Sequence, residues 1–249
     1  MGHLNKEVFV CIDCELTGLD AQQDRVIEVA AAKFNMDTIF DQFETLIDPE
    51  CPIPETSIAI HHITQEMVTG KPRITEVLPR LLEIIGNHIV VGHGVGFDLE
   101  FLANAADRSG ITHTLRQNRF FDTLRMARLY GDSPTNSLEQ LRKHFNIEQE
   151  GAHRAMSDVT VNMEVFKFLA NRYKTTDQLF DILSRPIQLK AMPLGKHKGR
   201  PMKEIPLEYL KWAANKDFDD DLLFTIRSEL KKRKKGNLFS QSSNPFSEL

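Results

Sequence analysis

Residues 8–20 read VFVCIDCELTGLD, in which two spacings interleave. Cys11-x-x-Cys14 has the spacing of a redox pair or of half a zinc site, whereas Asp13-x-Glu15 has that of a carboxylate pair for a hard cation. Side chains alternate along a strand, so Asp13 and Glu15 share a face while Cys11 and Cys14 point apart. A structural zinc site needs four ligands, usually from two such pairs, and Cys51, the remaining cysteine, supplies no second pair. A thioredoxin-like cysteine stands exposed at a helix N-terminus, and Cys11 lies in an apolar strand instead. Both cysteines are therefore expected as small buried hydrophobes. Two carboxylates on one face at the end of a core strand repel each other unless a cation or proton is shared, although a solvated strand end would also relieve them.

Further acids lie in suggestive settings. VGHGVGFDLEFL (91–102) puts Asp98 in the first turn of a helix after a short apolar strand and a Gly-rich turn, where the helix dipole favours a carboxylate of any role. AHRAMSD (152–158) holds His153 and Asp158 five apart. That is about 140° on one helical wheel, which places His153 on the preceding loop and Asp158 within the helix.

Together, DCELTGL (13–19), VGHGVGFDLEFL and HRAMSD (153–158) resemble the three motifs of the DEDDh 3′-5′ exonuclease family, which includes the proofreading epsilon subunit of bacterial DNA polymerase III. IEVAAAKF (27–34), IHHIT (60–64) and FDTLRMAR followed by NSLEQL (121–141) agree with it. The resemblance covers roughly residues 7–172. It implies an α/β ribonuclease-H-like fold with a mixed five-stranded sheet flanked by helices. It also implies that Asp13, Glu15, Asp98 and Asp158 hold two Mg²⁺ or Mn²⁺ ions, with Asp13 bridging, Glu15 and Asp158 completing one site and Asp98 serving the other. His153 is the implied general base. Thr17, Gly18, Leu19, His61 and Phe97 match positions around the terminal nucleotide. Two metals holding oxygen ligands can clamp the attacking and leaving oxygens of a phosphodiester. The sequence departs from the family pattern at Gly94, where many relatives carry Asn, and at His62, which replaces a common Gly and is expected to narrow the space near the terminal base. Asp122 reads as a helix N-cap, and Arg125 and Arg128, one turn apart, as a solvated helix face in preference to phosphate contacts.

Positioning these residues requires alternating strands and helices. Residues 7–12, 25–34 and 39–47 read as successive strands, followed by a Pro-rich loop, a helix near 74–85, a strand at 88–92 and a helix ending at Gly110. A strand passing into a helix, a helix over SLEQLRKHF and a last long helix complete a domain over 1–175 with three-layer packing. Residues 176–186 read as a linker, 187–235 as a small module with two helices, and 236–249 as a disordered tail. A hydrophobic content of 41% with 27% charged residues is that of a soluble globular chain. Three cysteines, no apolar stretch near ~20 residues and no signal-peptide core fit a cytoplasmic protein with no membrane partner. Lys6 stands where a myristoylation signal wants Ser or Thr.

Charge divides the chain. Residues 1–186 carry a net −9 and residues 187–249 a net +5, an acidic body for cations and a basic end for polyanions. PLGKHKGRPMKEIPLEYLKW (193–212) resembles a small module appended to some bacterial and phage proteins, nucleases among them. NLFS (237–240) is only weakly like a sliding-clamp peptide, lacking the leading Gln. The expected partners are DNA 3′ ends, with a polymerase subunit or sliding clamp. RNA trimming is an alternative activity, and a non-catalytic nucleic-acid-binding or polymerase scaffold an alternative class. A pure binding module would not need all five catalytic residue types.

Overall fold

The computed structural model describes residues 2–130, 136–148 and 154–242, with side chains described to Lys234. Five strands, β1 (Phe9–Leu16), β2 (Val26–Phe34), β3 (Ile39–Leu46), β4 (Ile89–Gly92) and β5 (Phe120–Asp122), form one sheet in the order β3-β2-β1-β4-β5. β1 pairs antiparallel with β2 and parallel with β4, β2 pairs antiparallel with β3, and β4 pairs parallel with β5. The sheet is mixed, and β1 is its centre. β1 runs four residues beyond the apolar run that announces it, because Asp13 pairs with Ala30 and Glu15 with Glu28 in the ladder to β2.

Alternation along β1 splits the core in two. Phe9 and Cys11 face helices α5 (Thr123–Tyr130), α6 (Leu138–His144), α7 (Ala155–Ala170) and α8 (Thr176–Leu183). Val10, Ile12 and Cys14 face α3 (Ile74–Ile85) and α4 (Gly96–Arg108). The two cysteines thus lie in different layers, both buried and unbridged. Phe34, Phe121 and Phe166 pack around Phe9 with centroids 5.0–6.3 Å away, in tilted and edge-on pairs that anchor α7 to the sheet.

Two short helices, α1 (Glu55–His61) and α2 (Gln65–Val68), follow the Pro-rich loop and were not expected. Val68 of α2 and the flanking Ile53 and Ile63 bury themselves against Ile27 of β2, with Ile58 of α1 and Met67 of α2 packed against the same cluster. The stretch expected as a linker is mostly α8, whose Leu179 and Leu183 join the main core. Its Thr175 side chain caps the Gln178 N–H at 3.3 Å. The C-terminal module has its own core, Leu189, Met192, Ile205, Leu210, Leu222 and Ile226, between α9 (Leu207–Ala213) and α10 (Asp220–Ser242). α10 continues through residues 236–242, the start of the expected disordered tail; residues 243–249 lie outside the described ones. No described helix is long and apolar enough to cross a membrane.

Arg125 and Arg128 correct the expectation of a solvated face. Arg125 donates to both oxygens of buried Asp221, at 3.0 and 2.9 Å, and to the Leu183 and Arg185 carbonyls. Arg128 bonds Asp219 and reaches Asp221 at 3.3 Å. Asp221 also accepts the Ile187 N–H at 3.0 Å. Charge pairing thereby fastens the module to α5. Burial works against the Asp221 charge, but Arg125, the Ile187 N–H and Arg128 together hold its pKa below the usual carboxylate value. This contribution to stability is present above ~4, the unfolded value, and is lost as pH falls through the lower folded one. Asp221→Asn leaves Arg125 without a carboxylate partner in a partly buried junction, while Arg128 keeps Asp219, and is expected to cost about 3 kcal/mol. Denaturant melts at pH 7 read the loss, and a variant as stable as the parent would remove the latch.

Candidate active site

At the carboxyl end of β1, Asp13 and Glu15 face α7, whose first turn presents Asp158. One carboxylate oxygen from each of the three lies within 4.8 Å of the others. Asp98 comes from the opposite layer, in the first turn of α4, and accepts the Cys14 N–H at 3.2 Å. It stands outside the three-oxygen group yet is the acid that most strongly raises Asp13. Glu15 and Asp158 thus gather with Asp13 on one face of β1, and Asp98 approaches from the other layer. His153 lies outside the described residues, one position before Arg154.

Burial raises the Asp13 pKa well above the carboxylate range, and the charges of Asp98, Asp158, Glu15 and Glu28 add to it. Glu15 is pushed up to about 7 by burial, Asp158 and Glu28, against the pull of Arg154. Asp98 is pushed up to about 7 by burial, against two backbone N–H groups, with Glu15 and Asp122 adding to the rise. A set of converging oxygen donors carrying this much unshared repulsion fits divalent cations with oxygen shells.

Glu28 is the unexpected member of the cluster. It is fully buried on β2 opposite Glu15, accepts from Arg154 Nε at 3.0 Å and from a terminal guanidinium nitrogen at 2.7 Å, and takes the Ala155 N–H at 3.0 Å. The pair fixes the first residues of α7 against the sheet and so sets where Asp158 stands. An acid inside the apolar run VIEVAAA is the sequence signal that marks it.

A cleft of about 800 Å³ opens over the acids. Its rim carries three exposed apolar side chains, Leu19 (82% exposed), Ile60 (64%) and Phe97 (43%). Phe97 rests on Phe101 at 4.9 Å. The loop that holds Leu19 out is internally braced. Thr17 Oγ1 donates to Asp24 Oδ1 at 3.0 Å and accepts the Arg25 N–H, and Ser57 Oγ donates to the Thr17 carbonyl at 2.7 Å. Thr17 is buried, its hydroxyl committed within the loop rather than turned to a ligand. A Cβ at Gly18 would meet the Asp24 carboxylate at 2.4 Å, so only glycine permits this close approach. His61 is buried, and its Nδ1 accepts the Ile63 N–H at 3.0 Å, which leaves the hydrogen on Nε2. That Nε2 has no partner of standard geometry among the described residues. Burial lowers the His61 pKa, against Glu28 and the Leu16 carbonyl, so the ring is a neutral donor bordering the cleft.

The departures at 62 and 94 acquire physical reasons. His62 has a φ of 60° as the left-handed C-cap of α1, the conformation that makes glycine common there. It is exposed and does not line the cleft, so it does not narrow the space near a terminal base. Gly94 sends its N–H to Asp122 Oδ1 at 2.8 Å, the oxygen that also accepts the Leu124 N–H. Asp122 thus both caps α5 and shapes the turn leading to Asp98. Ile60, Ser57, Asp24, Glu28 and Arg154 were not foreseen as parts of the site.

Fold and site define a nuclease of the exonuclease class: the Exonuclease family profile matches residues 10–166, and the chain belongs to that family. The family is generally divalent-metal dependent, and the donor set fits. The DNA polymerase III subunit epsilon of Aquifex aeolicus is 37% identical over 163 residues, 64% of this chain and 78% of that protein. The DNA polymerase III PolC-type of Clostridium perfringens is 34% identical over 193 residues, and the chain spans 13% of its length. Among solved structures, exonuclease X in complex with 5′-overhanging duplex DNA is 25% identical with a TM-score of 0.55, matching 70% of this chain and 99% of that one. E. coli exonuclease I with a dT13 oligonucleotide shares the fold at 22% identity and a TM-score of 0.62, over 71% and 43%. Residues 181–226 match a profile described as a putative quorum-sensing-regulated virulence factor.

Carboxylates raised from ~4 to about 7 bind more protons folded than unfolded, so without metal they lower stability progressively as pH rises from ~4 through 7. Mg²⁺ is expected to raise the melting temperature clearly at pH 8 and little at pH 5. Asp13→Asn is expected to raise the melting temperature in EDTA at pH 8 and to blunt the Mg²⁺ response. Thermal melts across pH with EDTA or Mg²⁺ check both. Breaking the clamp with Arg154→Ala leaves Glu28 buried and unpaired, at an expected cost of about 3–5 kcal/mol. Glu28→Gln with Arg154→Met is expected to recover much of that in chemical denaturation.

Proposed function

We propose that the chain is a divalent-metal-dependent 3′-5′ exonuclease that hydrolyses the last phosphodiester of a DNA strand and releases 5′-mononucleotides, in proofreading or repair. The observation that carries this reading is the three-carboxylate group of Asp13, Glu15 and Asp158, two of whose members, Asp13 and Glu15, line a cleft with an apolar rim together with Asp98. Apolar side chains at the mouth suit the faces of a terminal base, and oxygen donors below suit cations that meet its phosphate. Mg²⁺ or Mn²⁺ ions held by Asp13, Glu15, Asp158 and Asp98 would neutralise the phosphate and stabilise charge on the entering and departing oxygens. Kinship with epsilon and PolC-type proteins supports DNA as the substrate and a polymerase as the partner. The side chains of residues 237–240, read as weakly like a sliding-clamp peptide, lie outside the described ones.

Each residue then has a task. Leu19, Ile60 and Phe97 hold the terminal nucleotide, and the His61 Nε2–H donates to a polar atom of it. Glu28, through Arg154, keeps the segment next to His153 in place. His153 takes the proton of the attacking water as the new P–O bond forms. The bond from phosphorus to the 3′ oxygen of the penultimate nucleotide breaks, and that oxygen is protonated from solvent. An imidazole with an ordinary pKa of ~6.5 is neutral enough for this near pH 7.

One Mg²⁺ assay comparing 3′-mismatched primer-template, single-stranded DNA and short RNA, with an EDTA arm, tests the reading. Mononucleotides are expected from the DNA substrates, none in EDTA, and almost none from folded Asp13→Ala or Asp158→Ala. A strong preference for the RNA would replace the substrate, and full activity in either variant would remove the metal assignment. At saturating Mg²⁺ the rate is expected to rise between about pH 6 and 8, with His153→Ala slower by about 10²–10⁴ and lacking that limb. An unchanged rate in this variant rules out the base role.

A further inference from the structure

We propose that the outer face of the C-terminal module binds single-stranded nucleic acid by stacking bases on an aromatic row shared by hairpin 191–201 and helix α9. The hairpin is closed by Met192 N–H to the Arg200 carbonyl at 2.9 Å and Gly199 N–H to the Met192 carbonyl at 2.8 Å. Its tip brings the His197 ring edge-on to Tyr209 at 4.4 Å, and Tyr209 meets Trp212 at 5.2 Å. Lys216 Nζ lies 5.1 Å from the Trp212 ring centre. Leu210 and Ala213 turn the other side of α9 into the module's core, so Trp212 is not part of that core. It remains 50% exposed. An apolar surface of that size left in water is unfavourable unless something covers it.

Charge indicates what covers it. Lys196, Lys198 and Arg200 on the hairpin and Lys216 beyond α9 are exposed and make no ion pair among the described residues. Glu208, the acid of α9, is already held by Lys211 at 2.8 Å. The face therefore sets open cations around one exposed ring, Trp212, backed by the half-buried rings of Tyr209 and His197. A duplex offers phosphates but keeps its base faces stacked; a single strand offers both, and matches both kinds of group. The choice of ligand rests on the nuclease reading above. The surface supplies the affinity for a polyanion that a body of net −9 lacks away from its metal site.

Trp212 is the one tryptophan of the chain and serves as its own reporter. The full chain is titrated in EDTA with oligo(dT), with an abasic oligomer of equal length, and with duplex, following tryptophan fluorescence and the anisotropy of labelled oligomer. Oligo(dT) is expected to quench Trp212 saturably and the abasic oligomer to leave it nearly unchanged. Trp212→Ala and Tyr209→Ala are each expected to weaken oligo(dT) binding about tenfold, with Trp212→Phe keeping most of the affinity and circular dichroism melts confirming the fold. Binding of oligo(dT) without quenching, or wild-type affinity in both alanine variants, overturns the proposal. Equal quenching by the abasic oligomer also overturns it, leaving phosphate contact alone. Mononucleotide release from a dinucleotide in Mg²⁺, read separately, tests the nuclease reading and is expected to be the same in Trp212→Ala and the parent.

Discussion

Repulsion among carboxylates at the end of β1 is the constraint on which the other features of the site depend. Asp98, Asp158, Glu15 and Glu28 all lie close enough for their charges to act on Asp13. Left to themselves these groups would move apart or stay protonated. Three devices keep them together. The central strand is locked between β2 and β4, two of the acids occupy first turns of helices where the dipole favours negative charge, and Glu28 is neutralised by Arg154. The assembly is thus built to exist with a counter-charge supplied from outside, and its stability and its chemistry are coupled through that charge.

Much of this was legible in the sequence. β-rich runs bounded by polar turns located β1 to β3, and the alternation rule separated the cysteines from the carboxylates; Cys11 and Cys14 do lie in different layers of the core. Asp98 was placed in the first turn of a helix because a Gly-rich turn precedes it, and Asp158 within a helix because its spacing from His153 does not fit one helical face; both stand in first turns. What stayed hidden has a common cause. α1 and α2 are seven and four residues long, too short for a helical period to emerge after a Pro-rich stretch, so Ile60 and Ser57 had no element to place them on the cleft. Glu28 was read only as part of an apolar strand, since its partner lies 126 positions away. Arg125 and Arg128 looked solvated for the same reason, their acids being almost a hundred residues downstream.

The module at the C-terminus is a second, weaker hydrophobic unit joined to the first by ion pairs and by a helix that belongs to the larger core. Such a junction differs from a flexible tether. Because Arg125 binds both Asp221 and the carbonyls at the end of α8, the path of the chain into the module is set by hydrogen bonds with direction as well as by charge.

The register of β1 limits how the gene can vary. Inserting one residue between Ile12 and Asp13 would exchange the faces beyond it, sending the acids into the aliphatic layer and Cys14 toward α7. Deleting two would keep the faces but withdraw the acids by about 7 Å along the strand, away from Asp158. The strand is therefore fixed in length as firmly as in composition. The turn joining β2 to β3 follows Phe34, which pairs with Phe9 at the far end of the ladder from Glu15. Length changes there leave the spacing of every acid untouched, making that turn the natural place for lineages to diverge in size, or for an affinity handle to be grafted.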